Sequence, residues 1–191
     1  MSAYPHADTA SLFTPFGQRK YLCQTERARF ADAANHADRP TRLFALVLLF
    51  TGCRISEALE TTPLRLDSGA GCLIIRTLKR RRTVYRAVPI PKWLLEELIN
   101  FGRMTEPDMR LWSWCRQTAW RHIHALMEQA HVEGPMACPR GLRHGFGIRA
   151  ADKAVTLNLV QKWMGHASPD TTAIYLNAVG IEERQFARRM W

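Results

Sequence analysis

The feature that most limits the fold is an unbroken apolar run, residues 43–50, inside a helix read over 41–50. A surface helix keeps its apolar side chains on one stripe. This one carries them on nearly every side, so it belongs at the centre of a domain. The run is far too short to cross a bilayer. Pro40 stands near the helix start, and Thr51-Gly52-Cys53 interrupts the helix before helical spacing resumes over 54–60. One sheet signal stands beside it. Cys72-Leu73-Ile74-Ile75-Arg76-Thr77 and the stretch 83–90 read as two strands, joined by the basic hairpin tip Lys79-Arg80-Arg81-Arg82. A third, very short strand is expected next to the turn at 67–71. Beyond Pro91 the pattern is helical, over 92–101, 114–129, 140–153, 156–164, 169–176 and 182–189. A further helix is read over 25–35, capped by Thr25. The fold class is therefore α+β, mainly helical, with a small antiparallel sheet near residues 72–90. Residues 1–24 lack a period and read as a mobile N-terminal arm before one domain over 25–191.

Composition narrows the partners. Of the 191 residues, 47% are hydrophobic, enough for an ordinary core and too many for a disordered chain. The net charge of +10 calls for a polyanion, nucleic acid first and an anionic membrane surface second. The N-terminus shows no charged segment followed by an apolar stretch, so no secretory signal is visible. Five scattered cysteines without Cys-x-x-Cys spacing fit neither a disulfide framework nor a zinc site, and point to a reducing cytoplasm.

Three islands place polar groups at the edges of apolar helices. They are Thr51-Gly52-Cys53-Arg54-Ile55-Ser56-Glu57, Cys138-Pro139-Arg140-Gly141-Leu142-Arg143-His144-Gly145-Phe146, and Trp163-Met164-Gly165-His166 with Thr171-Thr172-Ala173-Ile174-Tyr175. Each alone has a plain reading. Arg54 and Glu57, three apart, make a weak surface ion pair; Arg140 and Arg143 sit on a solvated basic helix. His166 caps a helix end, and Tyr175 is a half-buried aromatic. Each also has a chemical reading, in which planar guanidiniums grip a phosphate.

Taken together, in this order and at these separations, the islands resemble the tyrosine recombinase (phage integrase) family over residues 25–191. That family has an Arg in a Gly-x-Arg-x-Ser-Glu-like turn and a Lys on a hairpin. A His-x-x-Arg-His-like segment, a Leu-Gly-His-like segment and a Tyr about nine residues later follow. Here Arg54, Lys79, Arg140-Gly141-Leu142-Arg143-His144, Met164-Gly165-His166 and Tyr175 fill those places. The resemblance implies a site-specific DNA recombinase that cleaves and rejoins strands through a 3′-phosphotyrosyl intermediate, without metal, ATP or other cofactor. Tyr175 would be the nucleophile, Arg54 and Arg143 the transition-state clamp, Lys79 the general acid and His166 a phosphate donor. Glu57 and His144 would orient these groups from behind. One position departs: where the family most often has His, this chain has Arg140, which can donate to a phosphate but cannot accept a proton.

The hairpin arginines Arg80, Arg81, Arg82 and Arg86, with Arg116, Arg121 and Arg149, are expected along the double-stranded DNA backbone. The family also has an N-terminal DNA-clamping domain for which about two dozen residues leave no room. Either the catalytic domain works alone, another protein assists, or the chain is part of a longer one. Self-association on DNA as a dimer or tetramer is expected, with segment 181–191 as one route. Two other readings stay open: a DNA-binding accessory that has lost the reaction, and a relaxing topoisomerase of related chemistry, against which the His166–Tyr175 spacing argues.

Overall fold

The computed structural model describes residues 11–78, 83–177, 187, 188 and 190. The chain begins with α1 (Gln24–Asn35), α2 (Arg39–Thr51) and α3 (Ile55–Leu59). A 3₁₀ turn, Pro63–Arg65, leads into β1 (Leu66–Asp67), β2 (Cys72–Thr77) and β3 (Val84–Pro89). Then follow α4 (Lys92–Gly102), α5 (Arg116–Gln129), α6 (Pro139–Asp152), α7 (Leu157–Met164), α8 (Asp170–Ala173) and a 3₁₀ turn, Ile174–Asn177. This is the mainly helical α+β class expected, and the sheet lies at the two stretches read as strands.

The apolar helix is central for the reason its composition implies. Along α2, Leu43, Phe44, Ala45, Leu46, Val47, Leu48 and Leu49 are all buried, and α1, α3, α4, α5 and α6 pack around it. Asp38 caps its start, accepting from the Thr41 N–H at 3.1 Å, with Pro40 in the first turn, where a missing N–H costs nothing. Its other end stops at Gly52, whose φ of +60° is the left-handed turn that glycine adopts without strain. The sheet is antiparallel in the order β1-β2-β3, with Cys72 opposite Pro89 and Thr77 opposite Val84. Leu73, Ile75 and Val88 face the core from it.

Two expected elements differ in detail. The first helix begins at Gln24, because the Glu26 carboxylate reaches back to accept from the Cys23 N–H at 2.9 Å; Cys23, not Thr25, is the boundary. The helix expected over 169–176 tightens into a 3₁₀ turn at Ile174, one residue before Tyr175. Preceding α1, Leu12 and Leu22 are buried, Leu22 in the main core. Leu12 belongs to a second, smaller cluster with Ile148, Val160, Met164 and Tyr175. Most of segment 181–191 and the whole of 79–82 lie outside the described residues. Among the described residues no helix is long and apolar enough to cross a membrane.

Candidate active site

The site forms where α2 ends, α6 begins and α7 stops. At the close of α2, Thr51 Oγ1 donates to the Val47 carbonyl at 2.7 Å and accepts from the Cys53 N–H at 3.2 Å. A Cβ on Gly52 would stand 2.5 Å from the Phe146 ring, so only glycine lets α2 approach α6 this closely. The chain then turns into α3 with Arg54 at its threshold.

Arg54 is tied down by Glu57. Its backbone N–H donates to Glu57 Oε2 at 3.0 Å and its Nη1 to Oε1 at 3.0 Å. The pair is no solvated surface contact, since the Glu57 side chain is wholly buried. A second guanidinium completes it: Arg86 Nη2 donates to Glu57 Oε2 at 2.6 Å. Burial pushes the Glu57 carboxyl up, but the Arg86 bond and charge, with those of Arg54, leave it below the usual carboxylate range.

Arg86 corrects an expectation. Its place beside a basic hairpin predicts a contact to the DNA backbone, yet its side chain is only 4% exposed. Besides Glu57, its Nε donates to the Trp163 carbonyl at 2.8 Å and its Nη1 to Thr77 Oγ1 at 2.7 Å. All three donor groups of the fork are engaged inside the protein, so the residue braces α3, β2, β3 and the end of α7 against one another. The Gly165 stop lets it do so. Gly165 has φ of +66°, and a Cβ there would lie 2.9 Å from the Arg86 Cζ.

Arg143, on α6, is also buried. Its Nη1 donates to the Gly52 carbonyl at 2.7 Å and its Nη2 to the Met164 carbonyl at 2.8 Å. The first is the carbonyl of Gly52, the stop of α2, and the second that of Met164, just before the Gly165 stop of α7, so one fork joins the ends of α2 and α7. Burial, then the Arg54 charge, push the guanidinium down to about 10, still charged at neutral pH.

Tyr175 sits beside these groups, 2% exposed. Its ring stacks on that of His166, with centroids 6.1 Å apart and planes at 19°. The other neighbour is Gly147, where a Cβ would fall 2.5 Å from the ring. The Tyr175 hydroxyl and His144 Nδ1 are 3.2 Å apart. Burial pushes the phenol up to about 12, while Arg143, Arg140 and Arg54 pull it down. Burial, with nearby positive charge, holds both histidines neutral at pH 7: His144 down to about 4 and His166 to about 3. His166 Nδ1 pairs with Thr172 Oγ1 at 2.8 Å.

Of the residues singled out in the sequence, the structure groups Arg54, Glu57, Arg143, His144, His166 and Tyr175. Arg140 is at the exposed rim of α6, close enough to act on Tyr175 and His144 through its charge. Lys79, Arg80, Arg81 and Arg82 lie outside the described residues. Next to His166 opens a cleft of about 390 Å³, lined by Thr77, Tyr85, Asn158, Gln161 and Lys162 among others. Arg116, Arg121 and Arg149 are exposed. Among the described residues no group of three or more His, Cys, Asp or Glu side chains could hold a metal ion.

Sequence reasoning did not find the bracing role of Arg86, the Thr172 partner of His166 or the Gly147 contact. Only the last left a trace. Gly141, Gly145 and Gly147 within one helix are costly for helix formation and so imply close packing against it.

The fold gathers a buried tyrosine and clustered arginines at the meeting of α2, α6 and α7. The chain belongs to the phage integrase family, whose model matches residues 20–179. It is 31% identical to tyrosine recombinase XerA of Pyrococcus furiosus over 158 residues, which span 78% of this chain and 54% of that protein. To tyrosine recombinase XerD of Corynebacterium glutamicum it is 25% identical, spanning 95% of this chain and 66% of the relative. The chain thus spans about half to two-thirds of the length of these relatives. Its fold is similar to a crystal structure of XerA recombinase, with a TM-score of 0.73 at 23% identity over 89% of this chain and 64% of that one. It is also similar to XerH recombinase bound to palindromic difH substrate in a post-cleavage complex. There the TM-score is 0.78 at 23% identity, over 90% of this chain and 53% of that one.

Proposed function

We propose that this chain is the catalytic part of a site-specific DNA recombinase, which cuts and rejoins double-stranded DNA through a phosphodiester bond to Tyr175. The observation that carries the reading is the placement of the Tyr175 hydroxyl. It is held by His144 at 3.2 Å within the field of Arg54, Arg140 and Arg143. A buried phenol surrounded by positive charge is suited to attack a phosphate.

In the reaction, the Tyr175 oxygen forms a bond to phosphorus and the bond from phosphorus to the 5′ oxygen breaks. Lys79, which follows β2 in the sequence, gives the leaving oxygen its proton. Arg54 and Arg143 stabilise the extra charge on the non-bridging oxygens, and Arg140 adds charge at the rim without exchanging protons. The bond between His166 Nδ1 and Thr172 Oγ1 orients the ring, and in the tautomer in which Thr172 donates, Nε2 carries the proton and gives a hydrogen bond to the phosphate. A 5′-hydroxyl of another strand then reverses the step. One phosphodiester replaces another, so ATP is not consumed, and the guanidiniums supply the charge that a metal supplies in other phosphoryl-transfer sites. Arg80, Arg81, Arg82, Arg116, Arg121 and Arg149 hold the flanking backbone, and copies of the chain assemble on the DNA in the cytoplasm.

A nicked DNA duplex carrying the protein's own target, found by sequencing the DNA the protein retains, tests the reading. A covalent adduct should form with the wild-type chain and not with Tyr175→Phe. An unchanged adduct with Tyr175→Phe overturns the nucleophile. Salt-sensitive DNA binding with no adduct under any condition overturns the reaction and leaves a binding accessory.

A further inference from the structure

The resemblance implies for His144 only an orienting place behind the site, yet its Nδ1 stands 3.2 Å from the Tyr175 hydroxyl. It is 6% exposed, and its second ring nitrogen, Nε2, is buried with no hydrogen-bond partner among the described residues. That asymmetry decides where the proton of the neutral ring resides. An orphaned buried N–H is rarer and costlier than an orphaned acceptor. The proton therefore belongs on Nδ1, which faces Tyr175 at 3.2 Å, and Nε2 keeps a bare lone pair.

We propose that His144 is a neutral hydrogen-bond donor to the Tyr175 oxygen, one that stabilises the phenolate as it forms and neither takes nor returns the tyrosine's proton. This rests on the recombinase reading above and adds to it how the nucleophile is activated in a chain whose Arg140 cannot serve as a base. The bond strengthens when the phenol ionises, because a hydrogen bond to an anion is roughly twice as strong as one to a neutral oxygen. It therefore favours the attacking form over the resting one. The phenol's own proton is left pointing away from His144 and departs to hydroxide, giving water. The phenolate then forms the bond to phosphorus as the 5′ oxygen leaves.

The alternative, His144 as the base, fits the surroundings poorly. It needs the proton on Nε2, where no described residue receives it. It also needs an imidazolium to persist against burial and the charges of Arg140 and Arg143 on α6 and of Lys20 ahead of α1. Burial pushes the ring down and the phenol up, so proton transfer from Tyr175 to His144 runs uphill.

Two measurements test this. In ¹⁵N-histidine-labelled wild-type protein at neutral pH, the His144 signals, assigned by their loss in His144→Asn, should show a protonated Nδ1 and a bare Nε2. The reverse tautomer overturns the proposal, whatever the protein does to DNA. The second is the rate of adduct formation between pH 6.5 and 9.5. His144→Leu should be slower on the order of tenfold to hundredfold, the worth of one hydrogen bond to a charged group, and need higher pH for a given rate. His144→Asn, whose amide N–H can take the place of Nδ1–H, should recover most of the loss. Equal rates for Leu and Asn, or a wild-type rate for Leu, overturn it. Adduct formation by Tyr175→Phe would instead overturn the nucleophile assignment and leave the tautomer result standing.

Discussion

At the scale of single residues, the site is governed by what burial does to ionisable groups. Tyr175, His144 and His166 are each shifted towards their neutral forms, and the arginines stay charged because guanidinium has no accessible neutral form. The histidines carry a consequence for stability. Their folded values, about 4 and about 3, lie below the ordinary 6.5, so the unfolded chain binds more protons in the interval between. Their contribution is fully present above pH 6.5 and is lost as pH falls towards those values. One pH unit of displacement is worth about 1.4 kcal/mol, so between pH 6.5 and 5 the loss amounts to a few kcal/mol at most. Thermal unfolding should show Tm falling between pH 7 and 5, with His166→Gln flattening that fall. Glu57 acts in a lower window: its depressed carboxyl gives stability that is present above about 4.5 and lost below it.

At the scale of elements, the two glycine stops matter more than the helices they end. Gly52 and Gly165 bring the ends of α2 and α7 to one place, and the forks of Arg143 and Arg86 hold them there. Arg86 is the brace that the sequence hid, since an arginine on a strand beside a basic hairpin reads as a surface residue. Its environment predicts a large effect. Arg86→Met removes one partner of the buried Glu57 and should cost on the order of 3–5 kcal/mol, because a buried carboxylate is left half-paired. In Arg86→Met with Glu57→Gln the charge is gone, and part of that loss should return. Urea denaturation of the single and double variants checks this. Equal stability of Arg86→Met and wild type would show that the ion pair does not hold these elements together.

At the scale of the whole molecule, the tyrosine lies within the same chain's arginine cluster. Recombinase subunits could either keep the nucleophile at home or lend it to a neighbour, and the packing of Tyr175 against His166 and Gly147 favours home. Mixing Arg143→Ala chains with Tyr175→Phe chains should therefore restore no adduct beyond the sum of the two alone. Robust adduct from the mixture would mean that Tyr175 is delivered between chains. The test reads the covalent adduct on a gel, and mixtures with wild type control for assembly.

The sequence alone sufficed for the central helix, the small sheet, the helical C-terminal half and the family, because each depends on local period or on residue order. Apolar residues on all sides of 43–50 can only be buried, and β-branched residues around a basic turn can only pair. The ordered islands also named Arg54, Arg143, His144, His166 and Tyr175 before their contacts were known. What tertiary structure decided was the direction of each side chain. Nothing in the order of residues says that Arg86 turns inward to Glu57 while Arg140 stays at the rim. Nor does it say that His144 meets a tyrosine 31 residues away while its other nitrogen has no hydrogen-bond partner among the described residues. Hydrogen bonds between distant segments depend on how helix ends converge. That convergence is set by packing over the whole core, which local pattern does not encode.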